Sequence, residues 1–488
     1  HQWHFTFMRC FWKNTIKEHG LILIIFTVLT LILTYPVITQ LTTQIAGGEI
    51  SVFYSEWMFW HVHHTLTEGG GISELYHSDI PFYPHGASLE WAAIGFTNAL
   101  FLAFPLTLIT DNLILIYNIL FLFNFIAAGY AMYLLIRYLV KDKAIAFLTG
   151  FAYTFAPLHM YWAQEFLHLS SFPWPPLFFL FFFKMFEERK MKNAILAAIF
   201  LFFLALACWY HLLFAFLIAF PYFIYKLIIN RHLFTKHFFA RMTLFLLLFT
   251  IAISPFLLPM LSVYFKGELY PYRLFLSLKS DSPVAQYFFM KSHLNPFWRG
   301  SPEKIEYYPP NTMMTFFQLG CLVVLVSLIY LIKQRKHLFW FLLAVFFFFF
   351  SLNPQGLIYS FLKKLPIVDM AIWDTISRFA FISLFSLLIF FAFALNYFLQ
   401  IWKQKIRKPV LVGILFIALV IECLAIPYPT THNKGQPDRI ALESAKEIGK
   451  TLKGSHPVLG DDFSILDFPP FYLFSQYNLY FATFHQKP

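Results

Sequence analysis

Charge is what this chain has least of. Only 12% of its 488 residues are Asp, Glu, Lys or Arg, against 59% apolar, and no single soluble core of that length hides so much apolar surface. A water-soluble fold is thereby excluded. Acidic side chains are scarcer still, 25 against 36 basic ones, leaving a formal net charge of +11. Such an excess would suit a nucleic-acid partner if it formed a continuous patch. Here it sits in short clusters between apolar segments, where membrane topology alone demands it, so no nucleic-acid partner is expected. Cysteine is rare and scattered: Cys10, Cys208, Cys321 and Cys423 form no close pair, which argues against a thiolate metal site or a disulfide framework.

What the chain does have is apolar runs. Segments of about 17 to 25 apolar residues, enough to cross roughly 30 Å of hydrocarbon as a helix, recur along nearly its whole length. The expected fold class is therefore an all-α polytopic membrane protein. Basic clusters at Arg137/Lys141/Lys143, Arg189/Lys190/Lys192, Arg231/Lys236/Arg241, Lys333/Arg335/Lys336 and Lys403/Lys405/Arg407/Lys408 belong on the cytoplasmic side. Spans at 20–40, 113–138, 144–157, 173–186, 194–208, 210–229, 242–264, 313–332, 338–352, 379–401 and 409–426 satisfy all of them together. That makes about eleven transmembrane helices, with the N-terminus cytoplasmic and the C-terminus outside. Arg9, Lys13 and Lys17 precede an apolar run too long for a signal peptide, which reads as an uncleaved first span of a bacterial inner-membrane protein. Trp91–Thr110 is apolar enough to cross but would put Lys141 and Lys143 outside, so it is laid in the outer interface as a juxtamembrane or re-entrant helix. A true span with a mis-oriented lysine pair is the alternative. The domain division expected is 1–426 for the transmembrane unit, with a first outer loop at 41–112, and 427–488 for an extracytoplasmic segment that reads as incomplete.

On this topology the cytoplasmic side has only short basic turns, while the outer side collects the loops 41–112, 157–172, 265–312 and 353–378. Any active site is expected at the outer membrane surface. Carboxylates, histidines, tryptophans and glycines crowd most densely into Gly47–Leu89, which reads GGEISVFYSEWMFWHVHHTLTEGGGISELYHSDIPFYPHGASL.

That stretch carries a family resemblance. An early Gly-acid step, a Trp-rich helix and then FYPHGASL resemble the first extracytoplasmic loop of bacterial integral membrane glycosyltransferases of the GT-C superfamily. The run FAPLHMYWAQEFLHLSSFPWPPL is similar to the family's proline-ended span leading to a histidine-containing outer loop, and Asp374–Phe379 resembles its Arg-Phe entry into a late span. Ser280-Asp281, Asn295-Pro296 and the region from Glu303 to Gly320 look like its later outer loop, and ILDFPP with YFATFHQKP like the start of its C-terminal outer domain. YPHG is the only compact signature; the rest is order and spacing.

The resemblance implies a GT-C-like arrangement of helices and transfer of a sugar, hexosyl or pentosyl, from a polyprenyl-phosphate donor to an acceptor at the outer face, with a loop carboxylate as base. Physically, an acceptor hydroxyl needs a proton acceptor in reach, and the departing phosphate needs cationic or metal stabilisation. The candidate bases are Glu49, Glu56 and Asp79. The chain has no Asp at the family's Gly-Asp step; Glu49 stands beside it, and Glu56 falls where the family has its first Trp. Each also has a plainer reading: Glu49 as a helix N-terminal residue, Glu56 as part of a solvated helix face, Asp79 as a turn residue before Pro81. His85 and Gly86 read as a tight turn near phosphate or as architecture alone.

Donor-phosphate contacts are expected from His85, His168, Arg273, Arg299 and Arg378, with Lys279 and Lys291 beside them in the long outer loop. His168 lies three residues after Glu165, so a helical turn would place the two on one face, and an interfacial pair is the plainer account. If a divalent cation takes part, Mg or Mn held by Glu49, Asp79 and His85 suits its preference for oxygen ligands better than His61, His63, His64 and His77. Trp57, Trp60 and those histidines read as an amphipathic belt. Partners are then a lipid-linked sugar donor and membrane lipids. Two other classes stay open. A catalytically degenerate subunit of a larger membrane complex would bring protein partners, and a lipid-linked substrate transporter would need charges near mid-membrane, which this chain avoids.

Overall fold

The computed structural model describes residues 2–47, 52–68, 71–78, 87–89, 95–266, 320–352, 376–402 and 407–430. Among them the chain is almost entirely helical, as a backbone in lipid must be to satisfy its own hydrogen bonds. The helices are α1 (Gln2–Leu33), α2 (Val52–Thr67), α3 (Thr97–Thr107), α4 (Leu113–Val140), α5 (Lys143–Thr154), α6 (Pro157–Glu165) and α7 (Trp174–Glu187). They continue with α8 (Met191–Ala207), α9 (Trp209–Ile229), α10 (Lys236–Lys266), α11 (Cys321–Lys333), α12 (Leu338–Leu352), α13 (Ala380–Trp402) and α14 (Lys408–Cys423). Two short strands, β1 (His77–Ser78) and β2 (Ala87–Ser88), pair antiparallel in the first long loop, His77 opposite Ser88.

Local chemistry sets the breaks. Pro36 ends the first helix early: α1 stops at Leu33 and the chain turns through a 3-10 segment at Val37–Gln40, so the first span is shorter than 20–40. The Asn112 side chain accepts from Leu115 N at 2.8 Å to open α4. Lys141 then takes a left-handed φ of 65° to close it, and Asp142 accepts from Ala144 N and Ile145 N to start α5. Pro157 and Pro175 sit in the first turns of α6 and α7, where the missing N–H costs no helix bond.

Four helices, α4, α9, α10 and α13, are each long and apolar enough to cross a membrane alone. Each of the other expected spans overlaps a described helix. α13 and α4 form the centre, with 83% and 61% of their apolar windows buried, whereas α9 and α10 at 22% and 17% turn most of their surface outward, as lipid-facing helices do. Close approach is built in where α1, α4 and α5 meet: the Phe26 ring fills the space a side chain would need at Gly129, and a Cβ on Gly150 would lie 2.9 Å from the Gly129 carbonyl oxygen.

The basic turns gather at one end of the bundle. Lys143 pairs with Glu18 of α1 at 2.6 Å, Asp142 pairs with Lys408 at the start of α14, and the Arg241 guanidinium of α10 donates to the Met185 carbonyl of α7 at 3.1 Å. At the opposite end Tyr428 N donates to Tyr35 O, Gly47 N to Pro429 O, and the Tyr428 hydroxyl to Met160 O. The segregation read from the sequence is therefore present as a division of ends.

Of two expectations about the first loop, one is kept and one changes. α3 is a π-helical stretch of seven residues followed by four of α-helix, so it rises about 16 Å, half of a crossing. It packs against α2, α4 and α8 at the end opposite the basic turns, the juxtamembrane placement rather than a true span. α2, by contrast, is not an amphipathic belt. Its residues from Ser55 to Val62 are all buried, among them Glu56, which overturns the reading of a solvated face. The helix is covered by α3, α4 and the segment Ile72–Tyr76, neighbours the isolated loop sequence does not reveal.

Candidate functional site

Two clusters of polar side chains, each with buried members, lie at the end opposite the basic turns. The first surrounds α2. Glu56 is fully buried, and neither carboxylate oxygen has a hydrogen-bond partner. Beside it stands Tyr117 of α4, whose hydroxyl is likewise buried without a partner, and Tyr117 in turn neighbours Tyr428. Burial alone pushes the Glu56 carboxyl up to about 8, so the group is mostly protonated at neutral pH. On the same helix His61 stacks on Trp57 at 5.2 Å and His64 on Trp60 at 4.8 Å, one turn apart in each case. His63 Nδ1 meets the Thr107 hydroxyl of α3 at 2.9 Å. These histidines face different neighbours and do not converge on one point.

The second cluster is basic. α6 ends at Glu165, Phe166 is extended, and His168 lies in the turn that follows, so Glu165 and His168 do not share a helical turn. Ser170 N donates to Phe166 O and Ser171 N to His168 O, which fixes that turn. Asn98 of α3 reaches up from beneath it, donating to Ser171 Oγ at 3.1 Å. Gly95 adds a close approach. Its φ of +96° favours glycine, its N–H donates to Leu206 O at the end of α8, and a Cβ there would stand 3.5 Å from the His168 Cβ.

Arg378, in the 3-10 turn Ile376–Phe379 that opens α13, lays its guanidinium 4.5 Å from the Tyr210 ring centroid and 6.0 Å from that of Phe166. Among the described residues no carboxylate pairs with it. His211, in the first turn of α9, is 1% exposed and neither of its ring nitrogens has a hydrogen-bond partner. It is boxed by Trp162, Phe172, Phe214 and Phe381, with ring centroids 5.1 to 6.4 Å away. Both Arg378 and His211 act electrostatically on His168, and Arg378 on His211, so the three sit together although they come from three separate elements. Burial first, then the Arg378 charge and His211, hold the His168 imidazole down at about 3, hence neutral.

His159 completes the region without joining the cluster. Its ring is sandwiched between Phe172 at 3.9 Å and Phe125 at 4.4 Å, with Nδ1 2.6 Å from Thr154 O and Nε2 3.0 Å from Ser170 O. Burial holds it at about 4, so the neutral ring donates to one of the two carbonyls. It staples the 166–171 turn to the end of α5.

Of the residues singled out from the sequence, His168 and Arg378 are thus brought together, and Glu56 belongs to the other cluster. Glu49, Asp79, His85, Arg273 and Arg299 lie outside the described residues. No group of three His, Cys, Asp or Glu able to hold a metal occurs among the described residues. His211 escaped sequence reading because it passes for the interior of an apolar span. The signal available was its place in Cys208-Trp-Tyr-His, at the mouth of that span.

No protein-family model matches the chain, and no curated protein sequence is significantly similar to it. Its fold is similar to that of the oligosaccharyltransferase of Archaeoglobus fulgidus in the apo form, with a TM-score of 0.50 and 12% identity over 96% of this chain and 64% of that one. The same figures hold for the archaeal oligosaccharyltransferase AglB from Archaeoglobus fulgidus in complex with an inhibitory peptide and a dolichol-phosphate. The chain therefore spans just under two thirds of the length of these neighbours. At this identity the likeness concerns the fold, and it agrees with the arrangement of helices described above: the chain is an all-α polytopic membrane protein with a GT-C-like fold.

Proposed function

We propose that the protein is a membrane glycosyltransferase that moves a sugar from a polyprenyl-phosphate donor to an acceptor at the outer face of a bacterial inner membrane. One observation carries the reading: Arg378 and His211 both act on His168, no carboxylate among the described residues pairs with Arg378, and neither ring nitrogen of the buried His211 has a hydrogen-bond partner. A guanidinium and two imidazoles grouped with no paired carboxylate among the described residues suit a phosphate. The GT-C-like fold and the dolichol-phosphate bound to one of its structural neighbours point to the same ligand class.

In the proposed reaction the acceptor hydroxyl oxygen attacks the anomeric carbon, and the bond from that carbon to the phosphate oxygen breaks. The hydroxyl proton passes to a loop carboxylate, and the polyprenyl phosphate leaves with the bonding pair, held by Arg378, His168 and His211. Glu49 and Asp79 are the carboxylates assigned to the base. Glu56 is not, because a carboxyl already protonated at neutral pH takes up no further proton. Arg273, Arg299 and His85 are assigned to the remaining phosphate contacts. A divalent cation, where one takes part, is assigned to Glu49, Asp79 and His85, and it would supply charge stabilisation to the leaving phosphate. In this reading 1–426 is the catalytic unit, 427–488 is an extracytoplasmic segment, and the N-terminus is cytoplasmic.

The test is donor cleavage by the full chain in liposomes supplied with polyprenyl-phosphate hexoses and pentoses. Release of polyprenyl phosphate is expected from at least one donor, falling about 100-fold or more in Glu49→Gln or Asp79→Asn. Unchanged release in both variants removes them as the base. No release from any donor by the native chain sinks the enzyme reading in favour of a degenerate subunit.

A further inference from the structure

We infer that the basic end of the bundle holds a second, separate anion site, built on Arg241, that takes the phosphate of an anionic lipid headgroup. Arg241 opens the second turn of α10, where the helix enters the apolar layer, and it is 3% exposed. A buried guanidinium normally faces a carboxylate, because removing an unpaired charge from water costs several kcal/mol. This one has none among the described residues. Among the described residues its hydrogen bond runs from one terminal nitrogen to the Met185 carbonyl, its Nε is buried without a partner, and its guanidinium carbon lies 6.0 Å from the Phe238 ring centroid.

The surroundings make the deficit larger. The charged group acting on Arg241 is another cation, Arg189, in the turn between α7 and α8. The acidic residues of that turn are engaged elsewhere: Glu187 accepts from the Tyr138 hydroxyl, and Glu188 pairs with Lys190 and accepts from Asn193. Two neighbouring guanidiniums with no counter-ion among the described residues, at the basic end of the bundle, suit a phosphate that accepts from Arg241 and from exposed Arg189 at once. Phe186, Phe223, Phe234 and Phe238 pack into an apolar wall around the same position, a surface suited to the first carbons of an acyl chain. A lipid supplies both parts; free phosphate supplies only the first.

Native mass spectrometry of the full chain released from nanodiscs of phosphatidylglycerol and phosphatidylcholine tests the site. The native chain is expected to retain phosphatidylglycerol over phosphatidylcholine, and Arg189→Gln to lower that retention about fivefold. Arg241→Gln should lower it at least as far, while Arg241→Lys keeps part of it. Arg189 is exposed, so its variant leaves the fold intact if Arg241→Gln does not. The second arm uses inorganic phosphate with phosphatidylcholine nanodiscs. Thermal stabilisation by phosphate that disappears in Arg189→Gln, without selective lipid retention, would assign the site to a soluble anion and overturn the lipid. Equal phosphatidylglycerol retention by the native chain and both glutamine variants would overturn the site itself.

Discussion

The two polar clusters at the end opposite the basic turns both contain buried groups without partners, Glu56 in one and His211 in the other, yet they handle the deficit in opposite ways. Around Glu56 the chain removes the charge: burial keeps the carboxyl protonated, and the nearby Tyr117 hydroxyl adds no charge of its own. Around Arg378 a charge is retained, because a guanidinium does not surrender its proton, and the neutral His168 and the buried His211 beside it bring no counter-charge. A cluster that has neutralised itself needs nothing further. A cluster that keeps a cation with no carboxylate partner among the described residues, beside a histidine whose ring nitrogens have none, suits an anion, and this asymmetry favours the second cluster for binding.

pH separates the two most strongly. Glu56 rises from an ordinary 4.5 to about 8, so between those values the folded chain holds a proton that the unfolded chain has released. Its contribution to stability is fully present below the unfolded value and is lost as pH rises through about 8. Glu56→Gln is expected to remove that slope, worth at most about 5 kcal/mol across the window, while leaving donor cleavage at its native level. His168 carries the opposite sign. Its folded value near 3 lies below the ordinary 6.5, so its contribution is present at neutral pH and fades as pH falls through that interval. Unfolding midpoints of the native chain and of Glu56→Gln across the range from mildly acidic to mildly alkaline check this, and a variant with an unaltered alkaline slope would break the comparison.

Arg378→Gln sharpens it from the other side. Removing a preorganised cation from a developing phosphate costs about 100- to 1,000-fold in turnover, and Arg378→Lys, which keeps charge but loses the planar fork, is expected to recover only part. Stability should barely move, since the side chain is only half-buried and lies over Tyr210 and Phe166 without an ion pair among the described residues. A large fall in the unfolding midpoint with unchanged turnover would make Arg378 structural.

His211→Phe tests the least visible member. The pocket is lined by Trp162, Phe172, Phe214 and Phe381, so a phenyl ring fits its chemistry and removes two buried unsatisfied nitrogens. Stability is expected to rise by about 1 kcal/mol, while the Kd for polyprenyl phosphate weakens about tenfold. A structural histidine would lose stability instead, and the opposite movement of the two readouts distinguishes the roles.

Much of the fold is legible in the sequence because crossing a membrane imposes length and hydropathy on each segment separately: the spans at 113–138, 210–229, 242–264 and 379–401 coincide with α4, α9, α10 and α13. The site is legible only where its residues interrupt that rule. Arg378 does so at the mouth of a span, and His168 in a loop. Glu56 and His211 obey other neighbours: whether a Glu on a Trp-rich helix is solvated or sealed depends on α3 and α4, and whether a His at a span's start is lipid-facing or boxed depends on α6 and α13. Such information belongs to pairs of distant elements, and one element's residue pattern does not contain it.

Gly95→Ala is the smallest perturbation with a definite outcome. Its φ of +96° is a conformation that a side chain rarely adopts, which sets a cost of about 1 to 2 kcal/mol. Space is not the obstacle, because the added Cβ would meet the His168 Cβ at 3.5 Å, ordinary van der Waals contact. The strain instead falls on the hydrogen bond from Gly95 N–H to Leu206 O, which ties the entry of α3 to the end of α8, two residues before the chain starts α9 and reaches His211. Relaxation of that bond shifts His211 relative to His168, so donor binding should weaken about threefold together with a modest fall in the unfolding midpoint. Native binding with a lowered midpoint would confine Gly95 to architecture. Native values of both would mean that the close approach to His168 is incidental, and the basic cluster would then depend on α9 and α13 alone.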